Sequence, residues 1–179
     1  RAMGHFDAIS VGGGLAGAAF ALELARNGLR VAILERTTGP SLKVCGDFLS
    51  CEARDLLAYL GVDVAGLGAH EIGSLRLITG RQRATASLPF CAAGFSRLRL
   101  DEILLAAAQS AGADVLRGDS VTAVTPSEQQ VCVRAGTHEF SARWVALASG
   151  KHNVRGLPRG QGGMTAYKIS LVPSRAVAS

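Results

Sequence analysis

Short apolar runs and one helical stretch alternate along the first part of the chain. Residues 6–11 form an apolar run that is too short for a helix and ends at glycines, which predicts a buried parallel strand. The pattern becomes helical over residues 15–27, and Gly28 is placed to end that helix in a left-handed turn. Residues 30–34 are a second apolar strand. The order strand, helix, strand predicts a βαβ unit, since parallel strands need a crossover connection.

The middle of the chain does not return directly to a third parallel strand. Residues 37–49 are polar and broken by glycines, which predicts a ligand-facing loop, and Ser50 is placed to cap a short helix after it. Two strands are expected next, over residues 75–79 and 84–88, with a turn between them at Gly80. These strands predict an antiparallel β insertion, which we expect to occupy about residues 62–95.

A strongly amphipathic helix follows this insertion. Its apolar stripe consists of Leu100, Ile103, Leu104, Ala107, Ala108 and Ala111. Asp101 and Glu102 are expected in its first turn, where acidic side chains interact favourably with the positive end of the helix dipole. Val115 and Leu116 then begin a third parallel strand, which returns the chain to the main sheet.

The pattern beyond the third parallel strand is again typical of β structure. Three short antiparallel segments are expected, over residues 121–125, 131–135 and 138–141. A separate apolar strand over residues 144–148 is expected to be parallel and to end at Ser149. The whole pattern predicts an α/β fold with a doubly wound parallel sheet and antiparallel β insertions.

Composition limits the classes of protein that this sequence can encode. With 48% hydrophobic and 18% charged residues, a chain of 179 residues can bury a full core, which excludes general disorder. No apolar run approaches the roughly 20 residues that cross a bilayer, so we expect no integral membrane segment and a cytoplasmic location. The formal net charge of +5 is spread without interleaved aromatic residues, which argues against a nucleic-acid partner.

The four cysteines give no sign of a metal site or of a disulfide framework. They are Cys45, Cys51, Cys91 and Cys132. They include no CxxC pair, and no histidine lies near them at the spacing of metal ligands. We therefore expect reduced thiols and no bound metal.

The turn between the first strand and the first helix carries the clearest chemical signal. Gly12, Gly14 and Gly17 match the GxGxxG pattern. The first glycine permits the tight turn, the second lets the main chain approach a phosphate, and the third lets the helix pack closely on the strand. The free amides at the start of the following helix and the positive end of its dipole both face the space beside this turn. This turn predicts a binding site for the diphosphate of an adenine dinucleotide.

An acidic residue completes the predicted site at the end of the second strand. Glu35 follows Gly17 by eighteen residues, and a carboxylate at this position can accept hydrogen bonds from both hydroxyls of an adenosine ribose. It disfavours a 2′-phosphate, because two anions would meet in a partly desolvated pocket. The site therefore favours FAD or NAD over NADP. The alternative for the glycines alone is an ordinary strand-to-helix turn in a chain with 22 glycines.

Five segments together resemble one group of flavoenzymes. They are VGGGLAG at 11–17, LER at 34–36, KVCGDFLS at 43–50, SRLRLDEILLAAA at 96–108 and ASGKHNVRG at 148–156. Their order is similar to that in the FAD-dependent oxidoreductases of the geranylgeranyl reductase group, which is related in fold to the p-hydroxybenzoate hydroxylase class of flavin monooxygenases. The resemblance implies a Rossmann-like, glutathione reductase-type fold with FAD as the cofactor.

The resemblance also implies a set of cofactor-binding residues. The glycine turn would bind the diphosphate, the end of the second strand would bind the ribose, and the loop before the short helix would approach the flavin ring. The complete set is Gly12, Gly13, Gly14, Leu15, Ala16, Gly17, Glu35, Arg36, Lys43, Cys45, Gly46, Arg97, Val121, Ser149 and Gly150.

Several members of this set have a particular role or an alternative. Arg97 suits phosphate or ribose oxygens, and the alternative is a helix-start arginine paired with Asp101. Val121 would meet the adenine through its backbone. Cys45 is either a residue of the redox pocket or a buried spectator, because cysteine is commonly buried. Ser149 stands where the hydroxylases have the aspartate of an AspGly pair, so the role of that aspartate is not carried over.

The resemblance implies a redox enzyme with a small-molecule substrate. NAD(P)H would reduce the flavin, and the reduced flavin would then reduce a carbon–carbon double bond of an isoprenoid or other lipophilic compound, which also implies a peripheral membrane association. One alternative is a flavin monooxygenase that hydroxylates an aromatic or polyketide compound. Another is a dinucleotide-binding fragment without catalysis. No residue is identified as a catalytic acid or base.

The resemblance and the pattern together predict how the chain is organised. Residues 1–5 have no pattern, and we interpret them as a leader or an expression scar. Residues 6–160 are expected to form the FAD-binding domain. Residues 161–179 are interpreted as the start of a truncated substrate domain, because the run at residues 167–172 predicts its first strand. The remainder of the same enzyme, roughly 200 residues, is expected to follow as a C-terminal half.

Overall fold

The computed structural model describes residues 4–157 and 167–168. The helices in these residues are α1 (Leu15–Arg26), α2 (Cys51–Tyr59) and α3 (Arg97–Ser110). The strands are β1 (Gly4–Val11), β2 (Val31–Glu35), β3 (Phe48–Leu49), β4 (His70–Thr79), β5 (Gln82–Gly94), β6 (Asp114–Arg117), β7 (Val121–Pro126), β8 (Val131–Ala135) and β9 (His138–Leu147).

The larger sheet has six strands in the order β6-β2-β1-β9-β8-β7. The strands β6, β2, β1 and β9 pair in parallel, whereas β9, β8 and β7 pair antiparallel. Ile9 of β1 pairs with Ala32 on one side and with Val145 on the other, so β1 lies inside the parallel part. Every residue of β2 is buried, which is typical of a parallel strand that is covered on both faces.

Alternating residues of β1 and β2 face two separate apolar clusters. Ala8 and Ile33 pack with residues of α1 and α3 on one face of the sheet. Ile9 and Ala32 point to the other face, where they pack with residues of β8 and β9. Because side chains alternate along a strand, one short apolar run supplies both clusters. The arrangement confirms the predicted α/β class with a mainly parallel sheet and a separate antiparallel one.

The insertion forms a three-stranded antiparallel sheet in the order β3-β5-β4. The hairpin of β4 and β5 turns at Gly80 as predicted, but it is longer than the sequence pattern indicates, reaching residues 70 and 94. Its outer part is exposed, with Leu75 and Leu77 at 50% and 63% of their full accessible area. This part of the hairpin therefore contributes little to the core.

The first strand begins earlier than the sequence pattern indicates. Gly4 and His5 belong to β1 and pair with Phe140 and Ser141 of β9. His5 Nδ1 and Ser141 Oγ also share a hydrogen bond of 2.9 Å. These two residues are thus part of the sheet, and the interpretation of residues 1–5 as a leader or an expression scar stays a prediction. The hydropathy pattern did not reveal this earlier start of β1, because the pairing of Gly4 and His5 with β9 satisfies backbone groups and does not depend on apolar side chains.

Strand β9 is one element where the sequence predicts two. It runs without a break from His138 to Leu147. Its first part pairs antiparallel with β8, and residues from Phe140 onward pair in parallel with β1. Ala142 takes part in both pairings, with Phe6 on one side and Val131 on the other. The predicted break between two strands is therefore wrong.

Helix α3 begins at Arg97, so Asp101 and Glu102 do not lie in its first turn as predicted. Asp101 instead lies one turn further along, where it is buried. The strand predicted over residues 167–172 falls mostly outside the described residues, and Tyr167 and Lys168 are not in a strand. The domain boundary at residue 160 stays a prediction.

We expect Gly17→Ala to lower the free energy of unfolding by about 2–3 kcal/mol, because overpacking forces the structure to shift. A Cβ atom on Gly17 would lie 1.9 Å from Gly12 O and 2.6 Å from Ser10 Oγ. Gly14→Ala is the matched control, since a Cβ there meets no atom within 4 Å. We expect the control to cost less than about 1 kcal/mol. Urea unfolding measures both values, and equal losses would contradict the packing role of Gly17.

Candidate nucleotide-binding site

The glycine turn lies between the end of β1 and the start of α1, at the carboxyl edge of the parallel strands. Gly12 has a φ of +109°, which suits glycine, and its amide donates to Leu34 O of β2 at 2.9 Å. A Cβ on Gly12 would lie 2.6 Å from Ala148 O, beyond the end of β9. The turn is therefore held between β2 and β9, and its close approach to Ala148 requires the absence of a side chain on Gly12.

The start of α1 offers free main-chain donors. The first bond of the helix runs from Ala18 N to Gly14 O at 2.9 Å, so the amides of Leu15, Ala16 and Gly17 have no acceptor within the helix. No side chain caps the helix, and a Cβ on Gly14 would meet open space. These amides, together with the positive end of the helix dipole, are suited to an anion such as a phosphate.

The Glu35 carboxylate links the glycine turn to the end of β2. Its Oε2 accepts a hydrogen bond from Gly13 N at 2.8 Å. Its Oε1 accepts two hydrogen bonds from Thr37, one from the amide at 2.9 Å and one from the hydroxyl at 2.8 Å. Glu35 is 7% exposed and is among the few buried charged residues in the described part of the chain. The structure thus brings together two residues that the sequence assigned to one site.

These contacts keep Glu35 ionised in spite of its burial. Burial raises the pKa of the carboxyl group, but the hydrogen bonds from the Thr37 amide, the Gly13 amide and the Thr37 hydroxyl, together with the charge of Lys43, lower it by more. The net pKa of Glu35 lies below its ordinary value. The group is therefore a hydrogen-bond acceptor at neutral pH, as an interaction with ribose hydroxyls requires.

A small pocket opens next to the Glu35 carboxylate. It is lined by Gly13, Glu35, Thr37, Gly39, Ser41, Lys43, Asp101, Glu102, Leu105 and Arg117. Lys43 Nζ donates to Ser41 Oγ at 2.6 Å, and Arg117 Nη2 donates to Glu102 Oε2 at 2.7 Å. The pocket thus combines three carboxylates with two cations. A larger surface cleft lies elsewhere, between α2 and the chain that follows it, and contains none of the predicted site residues.

Arg36 lies on the side of the site that faces the end of β9. Its Nη2 lies 2.8 Å from His152 Nε2. Burial lowers the pKa of His152, and the charges of Arg36, Lys151 and Lys43 lower it further. His152 is therefore neutral near pH 7 and can accept the hydrogen bond from Arg36. Sequence analysis placed Arg36 beside the ribose, and the structure gives it this partner after β9.

The structure gives Arg97 the arrangement that sequence analysis described as the alternative. Its Nε and Nη2 atoms donate to Asp101 Oδ1 at 3.2 Å and 2.9 Å. Burial lowers the pKa of Arg97, but the bonds and charge of Asp101 and the nearby Cys45 thiol raise it by more, to a value above the ordinary one. The contact with Cys45 connects this pair to the loop that precedes β3.

Asp47 fixes that loop against the start of α3. It has a φ of +55°, and aspartate is one of the few side chains that adopt this conformation with some frequency. Its Oδ1 accepts from Arg97 N at 3.1 Å, its Oδ2 accepts from Lys168 Nζ at 2.5 Å, and its O accepts from Phe95 N at 2.8 Å. The bond from Lys168 lowers the pKa of Asp47 and outweighs the opposing effect of burial. Gly46 beside it faces open space.

The remaining predicted residues lie at strand ends near the site. Ser149 and Gly150 follow β9, and Ser149 Oγ donates to His152 O at 2.6 Å. A Cβ on Gly12 would approach Ser149 Cα within 3.2 Å, so this segment borders the glycine turn. Val121 begins β7, three residues beyond Gly118, whose amide donates to Glu35 O at 2.9 Å. The chain leaving β6 is thus still hydrogen-bonded to the end of β2 at Gly118.

Sequence analysis assigned no place in the site to four residues that make these contacts, although it named Asp101 as the alternative partner of Arg97. They are Thr37, Asp47, Asp101 and Lys168. Asp101 had a usable signal, because it precedes Leu104, Leu105 and Ala108 at helical spacing and so lies on the buried face. Asp47 had a weaker one, since an aspartate after glycine in a loop is typical of a left-handed turn. Lys168 had none, because it is 121 residues away from its partner in sequence.

Comparison with known proteins identifies the family. The family model described as the FAD binding domain matches residues 5–172. The chain belongs to the FAD-binding domain family. The match covers the glycine turn, Glu35 and every other predicted site residue. In the described residues, no helix is long and apolar enough to span a bilayer, and no group of three or more His, Cys, Asp or Glu side chains is arranged to hold a metal ion.

Besides matching the family, the chain is similar to several individual proteins, including the following three. The probable electron transfer flavoprotein-quinone oxidoreductase YgcN of Escherichia coli is 36% identical over 156 residues, which are 83% of this chain and 36% of that protein. Squalene epoxidase 4 of Arabidopsis thaliana is 34% identical over 91 residues, which are 50% of this chain and 18% of that enzyme. The myxobacterial chondrochloren halogenase CndH is similar in fold, with a TM-score of 0.72 and 24% identity over 84% of this chain and 38% of that one.

The chain therefore covers 36% of the length of the first of these relatives and 18% of the length of the second. The similarity to the solved structure supports the fold alone, because the two sequences are only 24% identical. The geranylgeranyl reductase group is a narrower assignment than the family that the match identifies.

We expect Glu35→Gln to lower the free energy of unfolding by about 1–3 kcal/mol at neutral pH, because charge-assisted hydrogen bonds from Gly13 and Thr37 are weakened. The pKa of Glu35 is lowered in the folded state, so its contribution is complete above its unfolded pKa and is lost as the pH falls through the folded value. The variant should therefore lose less stability in acid than the parent. Denaturant unfolding from pH 7 into the acidic range tests this, with the exposed Glu128→Gln as control. Identical acid profiles of parent and Glu35→Gln would contradict the assignment.

Proposed function

We propose that the turn at residues 12–17 binds the diphosphate of FAD and that Glu35 binds the adenosine ribose. The observation that carries this proposal is the combination of open space at Gly14 with free amides at the start of α1 and an ionised carboxylate at the end of β2. A phosphate can approach the main chain at Gly14 without meeting a side chain, and the helix dipole favours its charge. The residues present therefore fit the cofactor that the family implies.

Other residues of the site complete the proposed binding mode. Lys43 supplies positive charge near Glu35, and Arg36 and Lys43 supply it near His152, which together balance a diphosphate. The backbone of Val121 is proposed to meet the adenine, because Val121 follows Gly118 by three residues and Gly118 is hydrogen-bonded to the end of β2. Ser149 and Gly150 border the glycine turn, and we propose that they contact the cofactor from the β9 side. Arg97 contributes through its pair with Asp101.

The loop at residues 43–47 is proposed to lie beside the flavin ring. Cys45 and Gly46 belong to it, and Asp47 holds it against α3 through the Arg97 amide. Open space at Gly46 allows a planar ring to approach the main chain. The role of this chain is to bind the cofactor, orient it and restrict the access of water, while FAD supplies the hydride chemistry when it is bound.

The proposed reaction is the reduction of a carbon–carbon double bond in a lipophilic, isoprenoid-like substrate, with NAD(P)H as the electron donor. The resemblance of the loop at residues 43–50 to the geranylgeranyl reductase group supports the reaction type. The similarity to an enzyme named for squalene supports the lipophilic character of the substrate. A peripheral membrane association follows from such a substrate. The similarity to an electron transfer flavoprotein-quinone oxidoreductase favours a second donor, a reduced flavoprotein.

A flavin monooxygenase is the second candidate. It is favoured by the similarity to squalene epoxidase 4 across half of this chain. A reductase and a monooxygenase would both bind the adenosine part of FAD with the same residues, so the described residues support the two candidates equally. They differ in their use of oxygen, because a monooxygenase consumes one O₂ for each substrate converted and a double-bond reductase consumes none.

The test is the cofactor content of the purified protein, followed by its reaction with donors. We expect an extracted cofactor with the absorption spectrum and mass of FAD. Anaerobic bleaching of the flavin by NADPH or NADH would support a nicotinamide donor, and bleaching only by a reduced flavoprotein would support the second donor. Oxygen uptake that depends on a lipophilic substrate would favour the monooxygenase over the reductase. A protein that retains no flavin and binds none added to it would contradict the proposal.

We expect Gly14→Val to raise the dissociation constant for FAD at least about 100-fold, because a branched side chain would occupy the space proposed for the phosphates. Gly73→Val is a matched control, since Gly73 lies in β4 away from the site and also faces open space. The control should retain FAD like the parent protein. Flavin fluorescence titration measures both constants. Tight FAD binding by a folded Gly14→Val protein would exclude this turn as the diphosphate site.

A further inference from the structure

We propose that Asp101 is a second acceptor for the adenosine ribose and that it acts together with Glu35. The inference rests on the proposed function, because it concerns the same nucleotide site. An adenosine ribose in FAD carries two vicinal hydroxyl groups, and each needs an acceptor when it is buried. Neither the sequence motif nor the family match assigns Asp101 a role beyond a pair with Arg97.

Glu35 alone has too few free lone pairs for both hydroxyls. An ionised carboxylate offers about four acceptor positions, two on each oxygen. Oε1 already accepts from the amide and the hydroxyl of Thr37, and Oε2 accepts from Gly13 N. One position on Oε2 therefore remains. One ribose hydroxyl can use it, and the other hydroxyl needs a different acceptor.

Asp101 has the free acceptor that Glu35 lacks. Its Oδ1 accepts both hydrogen bonds from Arg97, at 3.2 Å and 2.9 Å. Its Oδ2 has no partner, and among the described residues it is the one buried side-chain polar atom in this condition. The side chain is 8% exposed. An unpaired carboxylate oxygen at this depth is costly unless it receives a donor, so it indicates a hydrogen bond to a bound ligand.

Asp101 lies in the same pocket as Glu35. Both residues line it, and so does Leu105, one turn after Asp101 on α3. Leu105 is close to the glycine turn, since a Cβ on Gly13 would lie 3.0 Å from Leu105 Cδ2 and 3.3 Å from Glu35 Oε2. The wall formed by α3 therefore faces the Glu35 carboxylate across a narrow space. A ligand that donates a hydrogen bond to one carboxylate lies near the other.

The charges around Asp101 suit a hydroxyl donor and exclude a phosphate on the ribose. Glu35, Asp101 and Glu102 line the pocket, and Lys43 and Arg117 are the cations beside them. Arg117 is already paired with Glu102 at 2.7 Å. A 2′-phosphate at this point would meet two buried carboxylates with no unpaired arginine close to it in the pocket lining. Neutral hydroxyl groups meet two acceptors instead.

The test compares ADP with 2′-deoxy-ADP and 3′-deoxy-ADP in calorimetric binding to the full chain without FAD. In the parent protein we expect each missing hydroxyl to weaken binding about 10-fold. In Asp101→Ala, one of the two penalties should disappear and the other should remain. Asp101→Asn keeps an oxygen for Arg97 and should reduce the same penalty, which provides a second variant if Asp101→Ala does not fold.

Glu102→Gln is the matched control, because it removes one negative charge from the same helix and pocket wall. We expect it to keep both deoxy penalties. Equal weakening of all three ligands by the Asp101 variants would overturn the inference, since Asp101 would then act only by holding Arg97. Unchanged penalties would overturn it as well. A parent protein that does not bind ADP would contradict the proposed function itself, together with this inference.

Discussion

The candidate site depends on one hydrogen bond between a main-chain amide and a buried carboxylate. Gly13 N donates to Glu35 Oε2 at 2.8 Å and so fixes the glycine turn after β1 against the end of β2. Gly13 is itself buried, and a Cβ atom on it would lie 3.0 Å from Leu105 Cδ2 of α3 and 3.1 Å from Glu35 Cβ, so these neighbours would have to shift. The turn, the neighbouring strand and the third helix therefore meet at a single point. Loss of the negative charge there weakens the contact that holds all three in register.

The charges around this point are arranged by depth. The carboxylates of Glu35 and Asp101 are buried, at 7% and 6% exposure, whereas Arg117 on the same pocket keeps 22% of its side chain accessible. The ion pair of Arg117 with Glu102, whose side chain is 34% exposed, lies nearer to solvent. The buried acceptors suit the hydroxyl groups of a ribose, whereas the place proposed for the phosphates is beside the free amides of the glycine turn.

The sequence was most informative where a feature depends on neighbouring residues and least where it depends on distant ones. The roles of Gly12, Gly14 and Gly17 follow from local geometry, and the structure has the turn and the helix start that their spacing predicts. Helix α3 was predicted from its apolar stripe and the pair of Arg97 with Asp101 was given as an alternative, but Asp101 was expected in the first turn of the helix rather than one turn further along on its buried face. Strand β9 was divided in two because an apolar pattern cannot reveal a strand that has different neighbours along its length. The hydrogen bond between Lys168 and Asp47 joins residues that are 121 positions apart, and no sequence pattern connects them, so it could be found only in the folded structure.

Strand β9 joins the parallel part of the large sheet to the antiparallel meander of β7 and β8. Strand β9 is hydrogen-bonded to β8 in antiparallel fashion and to β1 in parallel fashion, so it belongs to both parts of the sheet. Ala142 is fully buried and contributes to both pairings, so the meander of β7 and β8 cannot detach without disturbing the strand next to the glycine turn. We therefore expect the two parts of the sheet to behave as one cooperative unit, in which amide hydrogens of the meander and of β1 exchange with solvent through a shared opening event.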